Sequence, residues 1–265
     1  MNPAVQTSYQ LGFVAISFGI SVLGAFVALN AAARIRNFNG RLSWLNTICA
    51  GIALGGIGVW SMHFIGMLAL KMDMATSYGM TETVISLIAA IAATSLALAF
   101  VSRSPDLKRI IGAGFLLGLG VAVMHYLGMF GMKFGGYIQW DLGIVAASCA
   151  IAIVVATAAL WLVFNTRTLP MRAAASVLMG VAVCSMHYTG MHAAEFICTT
   201  ASRSALPQGF GYISSLDLPS MVATVALAMA ALISVDQAFQ SASNAARRRI
   251  AQGQGQGLDS RIKAR

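Results

Sequence analysis

Apolar residues gather into seven long stretches, at residues 9–33, 43–70, 83–101, 110–132, 142–164, 173–194 and 218–239, with charged residues nearly confined to the segments between them. A helix rises about 1.5 Å per residue, so about 20 residues cross the roughly 30 Å hydrocarbon layer of a bilayer. Each stretch is long enough, and the pattern predicts seven transmembrane helices. The first follows an uncharged N-terminus without a basic n-region and exceeds the length of a signal h-region, which predicts a retained helix rather than a cleaved leader.

Within the stretches a second order is visible. Gly56, Val59, Met62, His63, Phe64, Gly66 and Met67 return at one fixed interval as Gly118, Val121, Met124, His125, Tyr126, Gly128 and Met129, and at the same interval again as Gly180, Val183, Met186, His187, Tyr188, Gly190 and Met191. Self-similarity at a fixed period marks a repeat architecture. The motif always falls on the second helix of a two-helix unit. The predicted fold is therefore an all-α membrane protein of seven transmembrane helices, built from three two-helix repeats plus a seventh helix. Because the motif-bearing helices all run the same way, the three motifs lie at one depth, about 10 Å inside the outer helix ends. Three such hairpins can surround one axis, in a parallel repeat unlike the inverted repeats of many alternating-access transporters.

On a helix of about 3.6 residues per turn, the following Met and the earlier Val and Gly fall on the same side as each histidine, with the preceding Met and the following Gly along one edge of that side. All the repeated residues except the aromatic share one broad face. The two glycines remove side chains around the imidazole, which lets helices approach closely and leaves room beside the ring.

Composition agrees with a bilayer as solvent: 58% of the 265 residues are hydrophobic and 9% charged, with a mean hydropathy of +0.78. The net charge of +9 is explained by position. Arg34, Arg36 and Arg41, then Arg103, Lys108 and Arg109, then Arg167 and Arg172, then Arg247, Arg248, Arg249, Arg261, Lys263 and Arg265 all fall on one side of the predicted membrane, and only Lys71, Lys133 and Arg203 on the other. By the positive-inside rule the N-terminus is outside and the C-terminus cytoplasmic. The basic excess brackets the helices and calls for no nucleic-acid partner. Cys49, Cys149, Cys184 and Cys198 form no pairwise spacing pattern, so no disulfide framework is expected.

A histidine inside a bilayer is costly enough to be a functional candidate. His63, His125 and His187 stand at equivalent positions. Converging with the thioethers of Met67, Met129 and Met191, and with those of Met62, Met124 and Met186, they would form a mixed imidazole and thioether metal site. Its softness favours copper, especially Cu(I), over Mg, Ca or Mn. Methionine in place of cysteine suits an oxidising outer compartment, where thiolates oxidise more readily. One buried His, or one Met at helical spacing, is ordinarily a packing residue; it is the threefold repetition that makes these residues candidate ligands.

Other signals are weaker. Glu82, Asp141 and Asp217 sit near the starts of helices, where a carboxylate is favourable. Glu195 and His192 lie just past the third motif, either as rim residues or as a neighbouring base and an extra ligand. The hydroxyls of Tyr126 and Tyr188 need partners, which the second nitrogens of the histidines or ordinary packing can supply. The segment from Ala245 onward is basic and then Gly/Gln-rich, as in a flexible tail held near anionic lipid.

The triple M-H-[FY]-x-G-M pattern resembles the MHYT domain, a bacterial integral membrane sensor domain, over about residues 8–240. The resemblance implies a seven-helix unit in the cytoplasmic membrane with its motifs near the outer face. It also implies a bound metal, expected to be copper, and sensing of a diatomic gas such as O2, CO or NO. The residues it implicates are those of the three motifs. Phe64 departs from the pattern, so a hydroxyl cannot be essential in the first copy. Many family members continue into cytoplasmic GGDEF and EAL domains, whereas this sequence runs only a short way past its last predicted helix. Signalling is then expected to pass to a separate cytoplasmic partner, or the chain is the sensor part of something longer. The expected division is a seven-helix sensor domain at 1–240 and a basic, flexible cytoplasmic tail at 241–265. No enzymatic output is expected from it. The alternatives are a zinc-dependent membrane hydrolase, a haem protein with His/Met axial ligands, a copper storage or transport protein, and a metal-free packing motif.

Overall fold

The computed structural model describes residues 5–36 and 40–263, with most side chains beyond residue 243 left aside. Among the described residues, seven helices are long and apolar enough to cross a membrane: Leu11–Ala32, Trp44–Leu68, Met80–Arg103, Leu107–Gly131, Leu142–Asn165, Leu169–His192 and Leu218–Gln240. We designate them α1 to α7 in that order. The protein is a multi-pass membrane protein of mostly helical structure. Four of these helices start on side-chain caps. Ser43 accepts from the Asn46 amide, Asp106 from Arg109, Asp141 from Gly143 and Ile144, and Thr168 from Met171. Each satisfies amides that the first helical turn leaves without partners.

Packing follows chain order. From α1 to α6 each helix lies against the next, and α6 closes the circle against α1. The even helices α2, α4 and α6 also touch one another, α2 reaching α6 through its last turns, Met62–Leu68, and α4 through these and the residues Ile52–Ser61 before them. The seventh helix, α7, contributes Leu218 and Val222 to the core that surrounds the motifs. Met229 lies where a side chain on Gly56 would go. Helix α2 is correspondingly enclosed, with 89% of its most apolar stretch buried against 22–44% in the other helices. Large apolar side chains such as Leu23, Ile88, Leu116, Val154 and Leu178 are exposed on the helices' outer faces, as expected where the solvent is lipid.

Two features have no counterpart in the hydrophobic pattern. In α2, residues Ile52–Ser61 are π-helical, and α-helix resumes at Met62, immediately before His63. At the motif end of the helices, short strands pair in three small antiparallel sheets. β1 (Thr7–Tyr9) pairs with β2 (Leu70–Met72). β3 (Ser77–Gly79) is flanked by β4 (Met132–Lys133) and β7 (Tyr212–Ser214), and β5 (Gly136–Trp140) pairs with β6 (Ala194–Cys198). The chain divides into two compact units, Met1–Met229 and Ala230–Arg265. The last helix continues from Leu218 to Lys263, so the 241–263 segment is helical along its backbone. The basic side chains of that tail lie outside the described residues.

Candidate metal centre

His63, His125 and His187 come from the last turns of α2, α4 and α6, and all three are 1% exposed. Their rings meet edge to face, with centroids 4.8, 5.1 and 5.2 Å apart. The Nδ1 atoms converge: 3.1 Å from His63 to His187, 3.1 Å from His125 to His63, and 3.3 Å from His187 to His125. A ring nitrogen presents either a proton or a lone pair, so three mutually facing Nδ1 atoms cannot all be satisfied by hydrogen bonds to one another. Among the described residues they are the group of His, Cys, Asp or Glu side chains placed to hold a metal ion.

The distances themselves test the fit. An ion bound to imidazole nitrogens at about 2.0–2.1 Å in tetrahedral geometry separates its ligand atoms by about 3.3 Å. The three Nδ1 atoms therefore stand close to the spacing of three corners of such a site. Nitrogens this close leave no space between them for a porphyrin, so these histidines do not suit axial haem ligation.

The opposite ring nitrogens explain one of the repeated glycines. A Cβ on Gly128 would fall on His63 Nε2, one on Gly190 on His125 Nε2, and one on Gly66 on His187 Nε2. Each repeat's glycine is thus the space occupied by another repeat's imidazole, in a cycle that closes after three. No hydrogen bond of normal geometry reaches any of the three Nε2 atoms, which lie against glycine backbone.

The aromatic position obeys a similar rule. The Tyr126 hydroxyl bonds Ser148 Oγ of α5 at 2.5 Å, and the Tyr188 hydroxyl bonds Ser17 Oγ of α1 at 2.9 Å. Both go to serines on neighbouring helices and neither to a histidine. In the first repeat Phe64 has no hydroxyl. There Ser86, the counterpart of Ser148 one repeat earlier, accepts instead from Trp60 Nε1 at 3.0 Å, and the Trp60 and Phe64 rings pack 5.0 Å apart.

The six candidate methionines are all buried. Met67, Met124, Met129 and Met191 belong to one apolar cluster with Phe64 and Trp60, and Met186 packs with Ala122 and Ala152. Met62 is 1% exposed. One turn inward of the histidines, Val59, Val121 and Val183 line an apolar cavity of about 40 Å³, with Met186 on its wall. Glu195 and His192 are exposed and line a separate polar pocket with Asp141; neither joins the histidine cluster. Glu82 lies in the first turn of its helix and pairs with Lys133 at 2.7 Å. None of the four cysteines is in a disulfide.

Three stretches of the chain, 56–114, 118–176 and 180–251, match the MHYT family, described as a bacterial signalling protein N-terminal repeat. The chain is 35% identical over 236 residues to the bifunctional diguanylate cyclase/cyclic di-GMP phosphodiesterase MucR of Pseudomonas aeruginosa, covering 84% of this chain and 33% of MucR. It is 33% identical over 196 residues to the cyclic di-GMP phosphodiesterase NbdA of the same organism, covering 70% of this chain and 24% of NbdA. It is 28% identical over 202 residues to the signaling protein YkoW of Bacillus subtilis, covering 72% and 25%. The chain spans a third or less of the length of these relatives. No solved structure matches it.

Proposed function

The chain belongs to the MHYT family of bacterial signalling proteins, and we propose that it is the membrane sensor unit of a signalling system, holding one copper ion on His63, His125 and His187. The observation that carries this reading is the triangle of Nδ1 atoms 3.1–3.3 Å apart inside an apolar bundle. We place the N-terminus outside and the site near the outer face of the cytoplasmic membrane, following the Lys/Arg asymmetry. Residues 1–240 then form the sensor domain and 241–265 a basic cytoplasmic tail.

In this reading the three imidazoles bind through Nδ1 and keep their protons on Nε2, against the glycine backbones. Met67, Met129 and Met191, and with them Met62, Met124 and Met186, surround the imidazoles with thioethers, which favours Cu(I) over harder ions. Copper, when bound, supplies a soft centre able to take a diatomic ligand or change redox state. The apolar cavity beneath the histidines is larger than the roughly 10–15 Å³ that one water needs, and its wall suits an uncharged gas such as O2, CO or NO. Because α2, α4 and α6 meet around the site, a ligand that favours one arrangement of these helices over another shifts all three. Output passes to a cytoplasmic signalling domain or partner. The names of MucR and NbdA suggest cyclic di-GMP turnover for it. The zinc hydrolase reading loses its base, since Glu195 stands exposed on β6 away from the histidines.

The test is copper content and carbon monoxide binding in the purified chain under reducing conditions. One copper per chain and an infrared C–O band, both lost in His125→Ala, are expected. Zinc in place of copper, or a band that persists in His125→Ala, contradicts the reading.

A further inference from the structure

The histidines are buried, so an ion needs a route to them. At the motif end of α4 a pocket of about 500 Å³ is lined by Phe130, Phe134, Tyr137 and Trp140 at its sides and by two thioethers, Met129 and Met132. Met129 is 0% exposed and Met132 5%, so both belong to the inner wall. Met129 stands one turn beyond His125 on the same face of α4, about 6 Å further along the axis. Along the chain Met129 thus falls between His125 and Met132, and both methionines line the pocket.

Met132 is also held in place. The Tyr78 hydroxyl donates to its sulfur at 3.8 Å, and the Tyr78 side chain is itself buried. A thioether sulfur has a second lone pair, which this bond leaves free. The cation on the pocket wall, Lys133, is paired with Glu82 and does not present an uncompensated positive charge to an incoming ion. Met132 lies outside the repeated motif: the corresponding positions in the other copies are Leu70 and Ala194.

We propose that this pocket is the uptake site for a soft monovalent cation, Cu(I) or its analogue Ag(I), which Met132 captures and Met129 passes to the histidine cluster. The proposal rests on reading the histidines as a copper site. Transfer is ligand exchange alone: each sulfur lends a lone pair and recovers it, no electron moves, and the ion keeps its charge. Thioethers suit such a relay because they bind soft ions and carry no charge that would hold the ion back.

The test is rapid mixing of the metal-free full chain in lipid nanodiscs with a coloured bis-chelate of Cu(I), following loss of chelate colour for rate and final copper content for occupancy. Met132→Leu conserves volume. It is expected to slow uptake tenfold or more with final occupancy unchanged, whereas Met129→Leu, at a residue that also surrounds the histidines, is expected to slow uptake and to lower final occupancy. Met72→Leu, a methionine on β2 outside the pocket, is expected to load at the unsubstituted rate. Met132→Leu loading as fast as the unsubstituted chain overturns the uptake route while leaving the histidine site standing. An unsubstituted chain that takes up no Cu(I) overturns both.

Discussion

The glycine that follows each histidine by nearly one turn is the most informative single position in the motif. In sequence it reads as a helix-packing residue that leaves room beside the ring. The room turns out to be taken by the imidazole of another repeat, because three histidines of equal depth turning to one axis bring each Nε2 against the backbone of a neighbouring motif. Gly66→Ala, Gly128→Ala and Gly190→Ala should each displace an imidazole, costing about 1–3 kcal/mol as overpacking and lowering copper content. Gly112→Ala, with open space around it, should be neutral or slightly stabilising; copper analysis and thermal unfolding across the four variants check this. The histidines themselves were legible from repetition alone. The tyrosines were not, since an isolated sequence does not say that Ser148 and Ser17 face their hydroxyls. Tyr126→Phe should therefore cost about 0.5–1.5 kcal/mol for the lost hydrogen bond while leaving copper content unchanged. Loss of copper in that variant would return the hydroxyl to the metal site.

At the scale of elements, the hydrophobic pattern located all seven spans to within a few residues, because a bilayer imposes a minimum length that few other environments do. It was blind to the π-helical stretch Ile52–Ser61, whose residues are as apolar as those of an α-helix. One local sign is the Ser61 hydroxyl bonding the Gly56 carbonyl one π turn back. The stretch is pressed on both sides. A Cβ on Gly24 of α1 would meet the Gly58 backbone, and one on Gly55 would meet the Ala90 carbonyl of α3. Gly24→Val should push α1 from α2 and, through the final turn, disturb His63. We expect a lower unfolding temperature and weakened copper retention, measured on the same sample. The strands were missed for a different reason: all are short, from the pair Met132–Lys133 up to runs such as Gly136–Trp140, and alternation is barely readable at such lengths. They pair because backbone groups close to hydrocarbon need partners. In β5 the run Tyr137, Ile138, Gln139, Trp140 does alternate in exposure, a faint signal over so few residues.

Over the whole molecule, the threefold relation of the motifs and the seven spans account for most of what the sequence made legible, while the side of the membrane rests on charge alone. A membrane-impermeant thiol reagent applied to intact cells should label Ser202→Cys, in the segment after β6, and not Ser104→Cys, between α3 and α4, above the background of the four native cysteines. The reverse pattern would invert the proposed orientation. The central claim is that one ion is shared by nitrogens from all three repeats. It is tested most directly by X-ray absorption on the Cu(I)-loaded chain and its three single histidine-to-alanine variants. Three nitrogen scatterers at about 2.0 Å are expected in the unsubstituted chain, with the shell equally depleted in His63→Ala, His125→Ala and His187→Ala. A nitrogen shell left intact by any one of those substitutions would contradict it.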